Sequence, residues 1–466
     1  MTVQLFLADW VHRPGTFVKD GAVLVDAAGR IVAAGARAEV EALPGAAKAT
    51  VVRLAGRALM PGSVSAHSHA FQVMLRGSSD HPASFREWVK THLYPLVERL
   101  DEPSLEAAAL LCFSQMLRAG ITTVGEFHYI HNAAEDYAPK SRALAHVVIG
   151  AARKVGLRIA FVRALYDVQE RFGQGRFAES AQDAARAVRE LHAEHKDDPL
   201  VTVLPAPHSL HGATREAVET GAMLARELGT RWHIHLAEQR GDVGYAERFH
   251  GGTPLVVLDR WGVLDERTVL VHGIWLTPEE RELLARKKGA LISNPATNMT
   301  LGDGIAPLCE LMALGVPVAL GTDLNASPNV FFEMRIAEML QRVHHLRMGV
   351  LSTVGGGVPE PQRIFDMGTL HGARALGVEA GAFDAGLWAD MVAVDVDDPS
   401  LLPASVIGGP ALLSAVTCSL AAESAVTDVF VAGRQVVKDR AVVGLPHAEL
   451  VERLRGAAAL RPLQRA

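Results

Sequence analysis

The sequence predicts an α/β protein: a (β/α)8 TIM barrel beside a small β-sandwich domain built from both termini. Three observations predict it. Between about residues 58 and 370, eight short apolar, β-branched runs alternate with longer helical patterns. The stretches before and after that region read as short strands and turns. Histidines and carboxylates recur at or near the ends of the apolar runs, the end at which a barrel builds its active site.

Taken in order, residues 1–57 hold apolar runs at 21–26 and 31–34 around a turn at 27–30, which predicts the first part of the β-sandwich. Residues 58–377 form the expected barrel, with strand candidates at 58–66, 121–127, 157–164, 200–206, 230–237, 268–272, 290–294 and 316–322. Helical periodicity fills the gaps at 103–119, 180–194, 213–228 and 278–288. Gly and Pro mark 355–361 as the clearest loop. Residues 378–466 return to strands at 389–395 and 428–433, completing the sandwich and ending in a tail.

Composition narrows the class. The 466 residues are 49 % apolar and 21 % charged, as in an ordinary globular chain. With 46 basic and 52 acidic residues the net charge is −6, so nothing points to nucleic acid. Cys112, Cys309 and Cys418 lie far apart and form no Cys-x-x-Cys pair. They read as packing thiols in a reducing compartment, which places the protein in the cytoplasm. The first residues lack the basic segment and apolar stretch of a leader. No run of about 18 uncharged apolar residues suggests a membrane span. The expected partner is a small-molecule substrate, and a homodimer is compatible with a large barrel of this kind.

The chemistry starts from the His-x-His pair His67 and His69. Alternate residues of a strand face the same side, so both can reach one ion. His233-Ile-His235-Leu-Ala-Glu238, His272 and Asp323 follow at later strand ends. A catalytic ion needs three or four N/O ligands and an open position for water. The proposed set is His67, His69, His235 and Asp323; spacing alone leaves His233 as the alternative to His235. Imidazoles suit zinc, iron or cobalt rather than magnesium, and one divalent ion, zinc first, is expected. Asp323 can also accept a proton from water whose pKa the ion lowers towards about 7. Glu238 would pass a proton to a leaving nitrogen, unless it is a surface glutamate at a helix start. His272 would hydrogen-bond a developing tetrahedral centre, unless it is a core histidine.

These motifs resemble the amidohydrolase superfamily, in its deaminase branch with a single metal. The resemblance runs through Met60-Pro-Gly, His67-Ser-His69, Gly120-Ile-Thr-Thr-Val-Gly125, His233 to Glu238, Ser293 to Met299, Gly321-Thr-Asp323 and Gly386-Leu-Trp-Ala-Asp390. It implies His67, His69, His235 and Asp323 as metal ligands, with Glu238, His272 and Asp323 catalytic. Dinuclear barrels of this type often use a modified lysine after the fourth strand, and residues 204–211 contain none.

Within the branch, His67-Ser-His-Ala-Phe-Gln72, Glu126-Phe-His-Tyr-Ile-His131, His208-Ser-Leu210 and Leu301-Gly-Asp-Gly-Ile305 look most like formimidoylglutamate deiminase. That likeness implies Gln72, Tyr129 and His208 in the substrate site. This chain has His211 where that family has a substrate arginine, and Arg86 or Lys90 stands as the replacement cation. Segments 293–298 and 320–327 look instead like deaminases of guanine, adenosine derivatives and s-triazines.

The leading reading is a metal-dependent aminohydrolase, deaminase or deiminase, that hydrolyses a C–N bond of an amidine and releases ammonia. N-formimino-L-glutamate is the first substrate expected; a neutral guanine, adenosine-type or s-triazine heterocycle is the alternative, favoured if no bidentate cation meets the dicarboxylate. An amidase, carbamate hydrolase or dechlorinase would use the same groups. A non-catalytic binding barrel would predict a broken ligand set, and this one is whole. A cytidine-type zinc deaminase is disfavoured, since its Cys-x-x-Cys motif is missing.

Overall fold

The computed structural model describes residues 2–77, 84–168, 174–356, 358 and 360–457. Gly357 and Pro359, in the loop expected at 355–361, lie outside the described residues. The chain begins with β1 (Gln4–Arg13), β2 (Thr16–Val25) and β3 (Ile31–Ala36), an antiparallel meander. Gly15, at φ +80°, serves the tight turn between β1 and β2. β4 (Thr50–Pro61) then runs parallel to β1.

Eight parallel strands follow: β5 (Ser63–Ser68), β6 (Ile121–His128), β7 (Arg158–Leu165), β8 (Val201–Pro207), β9 (Trp232–Leu236), β10 (Thr268–His272), β11 (Ala290–Ser293) and β12 (Val318–Leu320). They form two four-stranded sheets, β5 to β8 and β9 to β12, each in sequence order. All residues of β6, β7, β9 and β10 are buried, as expected of parallel strands covered on both faces, so their polar side chains, among them His235 and His272, lie inside the fold. Helices cover the outside. Glu102–Arg118 begins with Asp101, whose side chain accepts from the Ser104 N–H, and Arg215–Leu228 stops at Gly229 in the left-handed region.

The barrel closes at two seams. Between β8 and β9 the His235 N–H donates to the His208 carbonyl at 3.0 Å. Between β12 and β5 the Thr322 and Asp323 N–H groups both donate to the His67 carbonyl at 3.0 Å, and the His69 N–H donates to the Asp323 carbonyl at 2.9 Å. Gly321 sits in this second seam, where a Cβ would come within 2.8 Å of the His67 Cβ and 2.4 Å of Asn294 Oδ1.

After the barrel, β13 (Met391–Asp395), β14 (Val426–Val431), β15 (Arg434–Lys438) and β16 (Ala441–Val442) join the terminal sheet in the order β16-β15-β14-β13-β4-β1-β2-β3. Phe6 on β1 and Phe430 on β14 have ring centroids 5.0 Å apart. Two strands separate them, and a flat sheet would hold them about 14 Å apart. The sheet therefore folds over on itself around Phe6, Val23, Leu59, Met391 and Phe430, which makes the β-sandwich.

One expectation needs correction. The run at 58–66 is not one barrel strand. Ala58 to Pro61 finish β4, paired with β13, and the chain changes sheets at Gly62, whose N–H donates to the Asp390 carbonyl. The change therefore falls after the expected boundary at 57. Residues from Ala58 to Ser68 are all buried, so no break in the pattern marks the switch.

Candidate active site

The two seams and the neighbouring strand ends bring His67, His69, His235, His272 and Asp323 together. His67 is on β5 and His69 just beyond it; both are buried. His235 is on β9, His272 ends β10, and Asp323 follows β12. His67 Nε2 lies 3.2 Å from His235 Nε2 and 3.5 Å from Asp323 Oδ1. His69 Nε2 is also 3.5 Å from that oxygen.

The chain sets the face each imidazole presents. His69 Nδ1 is 2.8 Å from the Phe127 carbonyl oxygen, and His235 Nδ1 is 2.9 Å from that of His208. A carbonyl only accepts, so each Nδ1 carries the proton and each Nε2 keeps a lone pair facing the cluster. Burial pulls the pKa of all three histidines below the ordinary imidazole value, keeping them neutral. Three neutral imidazole nitrogens and one carboxylate oxygen in this space are the donor set of a single zinc-type ion, and the residues fit such a group. The alternative ligand His233 points elsewhere: its Nε2 donates to the Ala375 carbonyl at 3.0 Å.

Ala237, His272 and Asp323 follow or end their strands at φ +52°, +75° and +45°. Non-glycine residues in this region cost roughly 1–3 kcal/mol each and persist where surrounding bonds over-determine them. At Asp323 the backbone N–H is tied to His67 on β5 and the carbonyl to the His69 N–H just beyond it. His272 Nε2 sits 3.7 Å from Asp323 Oδ2 and 3.7 Å from Glu238 Oε1. Burial, reinforced by Asp303, Asp242 and Asp323, holds the Glu238 carboxyl well above its usual pKa.

These groups open into a cavity of about 430 Å³. Gln72 and Tyr129 line it as a pair, with Gln72 Nε2 donating to the Tyr129 hydroxyl at 2.9 Å. The Tyr129 ring packs edge-on against His69 and His208. His208 stands on the wall with Nδ1 3.0 Å from the Ser209 hydroxyl. His211 is at the exposed rim, its Nδ1 3.5 Å from Asp242 Oδ1. Arg86 and Lys90 also line the cavity and are exposed, while Trp88 between them is buried. His128 and His131 do not reach the cavity; they belong to a buried layer, with His131 against Arg163 and Glu179.

Sequence reasoning missed the support around His272. Asn298 Nδ2 lies 3.1 Å and Asn294 Nδ2 3.4 Å from His272 Nδ1, and Asn298 Nδ2 also donates to Asp303 Oδ2 at 2.9 Å. Burial raises the pKa of the Asp303 carboxyl to about 7. The signal was there in the segments Ser293 to Met299 and Leu301-Gly-Asp-Gly-Ile305, which carry Asn294, Asn298 and Asp303 without showing what they touch. Glu126 also plays an unforeseen part: its carboxylate accepts from the Ser68 hydroxyl and the Ala70 N–H, both at 2.7 Å, which clamps the turn carrying His69.

A parallel eight-stranded barrel with an imidazole–carboxylate cluster at its C-terminal end defines a metal-dependent hydrolase scaffold. The chain matches the amidohydrolase family over residues 58–436 and belongs to it, a family of hydrolases acting on C–N bonds. The 5'-deoxyadenosine deaminase of Methanothermobacter thermautotrophicus is 32 % identical over 357 residues, covering 76 % of this chain and 77 % of that one. The 5-methylthioadenosine/S-adenosylhomocysteine deaminase of Nitratidesulfovibrio vulgaris strain DP4 is 31 % identical over 393 residues, covering 83 % and 82 %. The crystal structure of a zinc-bound adenosine deaminase from Xanthomonas campestris superposes with a TM-score of 0.83 at 28 % identity, covering 98 % of this chain and 97 % of that one. Among the described residues, no helix is long and apolar enough to cross a membrane.

Proposed function

We propose that this protein is an aminohydrolase that removes the exocyclic amine of an adenosine-type purine, with His67, His69, His235 and Asp323 holding one divalent ion. The observation that carries the reaction type is Glu238. A buried carboxyl in the lining of the cavity, 3.7 Å from His272 Nε2 and with its pKa raised by burial, is an acid placed to protonate an amidine nitrogen. When bound, the ion supplies a Lewis acid and lowers the pKa of water.

The chain's own groups do the rest. Asp323 accepts a proton from the attacking water. Glu238 gives its proton to the ring nitrogen, which makes the adjacent carbon electrophilic. His272 directs a donor at the oxygen that adds to that carbon. The proton taken by Asp323 goes to the departing amine, and the proton left on the added hydroxyl returns to Glu238 as the C=O bond forms and the C–N bond breaks, so an amidine and water become a lactam and ammonia with both carboxyl groups restored.

The substrate class rests on the adenosine-derivative deaminases among the relatives and on the cavity's size and aromatic wall of Phe85, Trp88, Tyr94 and Phe177. The meeting of Gln72, Tyr129 and His208 favours a second reading, N-formimino-L-glutamate. Against it, His211 lies 3.5 Å from Asp242, and among the described residues the cations lining the cavity, Arg86 and Lys90, are exposed. A dicarboxylate taken from water asks for bidentate partners inside the pocket.

Ammonia release by the zinc-loaded protein separates the readings. The panel is 5'-deoxyadenosine, methylthioadenosine, guanine, an s-triazine and N-formimino-L-glutamate. Turnover of the adenosine derivatives is expected. Turnover confined to the formimino acid would replace the first reading with the second, and no ammonia from any amidine would remove both.

A further inference from the structure

Asp303 is 2 % exposed, and one of its carboxyl oxygens lies within 4.8 Å of ligand atoms of Glu238 and His272. Its Oδ1 accepts from Gln239 Nε2 and its Oδ2 from Asn298 Nδ2. The same Asn298 nitrogen faces His272 Nδ1 at 3.1 Å. An amide nitrogen has two hydrogens, one for each acceptor, and no lone pair to offer. Turning the amide over would set its oxygen against the Asp303 carboxylate, two acceptors in contact inside the protein. At pH 8, above the carboxyl's pKa of about 7, the ionised Asp303 therefore decides which end of the amide His272 meets. Asn294 Nδ2, at 3.4 Å, directs a second amide nitrogen at the same Nδ1. With donors on that side, Nδ1 must accept, and the single proton of the neutral imidazole stays on Nε2, the atom facing Glu238 and Asp323.

We infer that Asp303 is a positioning residue: through the Asn298 amide it fixes His272 as the Nε2–H tautomer, the form that can donate to the reacting oxygen. The Gln239 contact anchors the carboxylate to the residue beside Glu238, so one group spans the segments that carry both the acid and the donor. The inference rests on the proposed role of His272 for its catalytic consequence, but not for the tautomer itself.

The test is the ¹⁵N–¹H correlation spectrum, at pH 8 where Asp303 is ionised, of zinc-loaded protein labelled at histidine, with the His272 signals assigned through His272→Gln. In the unaltered protein, His272 is expected to show a protonated Nε2 and a bare Nδ1. Asp303→Asn removes the charge at nearly constant shape. It is expected to give a mixture of tautomers at His272 and to lower kcat about 10- to 100-fold with KM little changed. Asn298→Asp places an acceptor at Nδ1 and is expected to move the proton there outright, with a larger loss of kcat. That second variant decides the matter if the first does not fold.

An unaltered protein with the proton on Nδ1 overturns the inference. So does an Asp303→Asn spectrum that still shows only Nε2–H. The spectrum needs no substrate, so it holds whether or not purines are turned over. If ammonia release fails across the panel while the tautomer shifts as expected, the proposed function falls and the positioning role stands.

Discussion

The pair Arg158–Asp390 ties the barrel to the terminal sheet, and cutting it has a calculable effect. Arg158 begins β7, and Asp390 immediately precedes β13. The guanidinium holds the carboxylate through Nε at 2.7 Å and a second nitrogen at 3.0 Å, with both side chains at most 2 % exposed. Asp390 Oδ1 also accepts the Ala432 N–H at 2.7 Å. In Asp390→Ala the cation stays buried without its anion, which costs about 3–5 kcal/mol. The orphaned Ala432 N–H adds roughly 1 kcal/mol or more. The sum, about 4–6 kcal/mol, is a large part of the ~5–15 kcal/mol that holds a typical domain. Replacing both partners, as Arg158→Met with Asp390→Leu, removes the desolvation cost together with the attraction. That double variant should therefore be more stable than the single one. Urea unfolding followed by circular dichroism measures both. Ammonia release per folded molecule should stay unchanged, since Arg158 lies at the N-terminal end of its strand, away from the site. Asp390→Ala within about 1 kcal/mol of the unaltered protein, or a double variant less stable than the single, would refute the reasoning.

Three further outcomes are expected. Glu238→Gln, which keeps the shape and loses the transferable proton, should lower kcat about 10²–10⁴-fold with bound zinc unchanged, as read by steady-state kinetics and metal analysis; a loss confined to KM would contradict its role. Chelation should abolish activity and added zinc restore it, while His69→Ala should retain less than one zinc per chain after dialysis; full retention would remove His69 from the ligand set. Glu333, buried and accepting the Ala296 N–H, has its pKa raised from 4.5 to about 8 by burial. The folded state therefore keeps a proton that the unfolded chain releases above about 4.5, and the associated stability is lost as pH rises through about 8. At 1.36 kcal/mol per unit the upper bound is about 5 kcal/mol. Glu333→Gln should flatten the decline in urea stability between pH 5 and 8, and an unchanged slope would show that Glu333 does not titrate there.

Much was legible in local pattern. Alternating runs of two periodicities identify strands and helices because each period belongs to one element. That is enough to foresee the barrel, the terminal strands and the strand-end positions of His67, His69, His235, His272 and Asp323. Residue chemistry adds the character of the site, since three imidazoles and a carboxylate select a borderline ion whatever the backbone does. The choice of His235 over His233 was not local. Both lie on β9 two residues apart and so on the same strand face; only the closed barrel shows that His235, nearer the C-terminal end, meets His67, while His233, deeper along the strand, meets the Ala375 carbonyl. The same is true of the change of sheets at Gly62, hidden in a run buried on both sides.

The tertiary structure also decided the support of the site. Asp303 is an ordinary turn aspartate until the fold sets Asn298 between it and His272. Glu126 is a charge in an apolar strand until Ser68 and Ala70 turn towards it. Sequence determined which atoms could donate, accept or bind. The two seams, joining residues more than 250 positions apart at His67 and Asp323, decided which of them meet, because hydrogen bonding acts over about 3 Å of space and takes no account of distance along the chain.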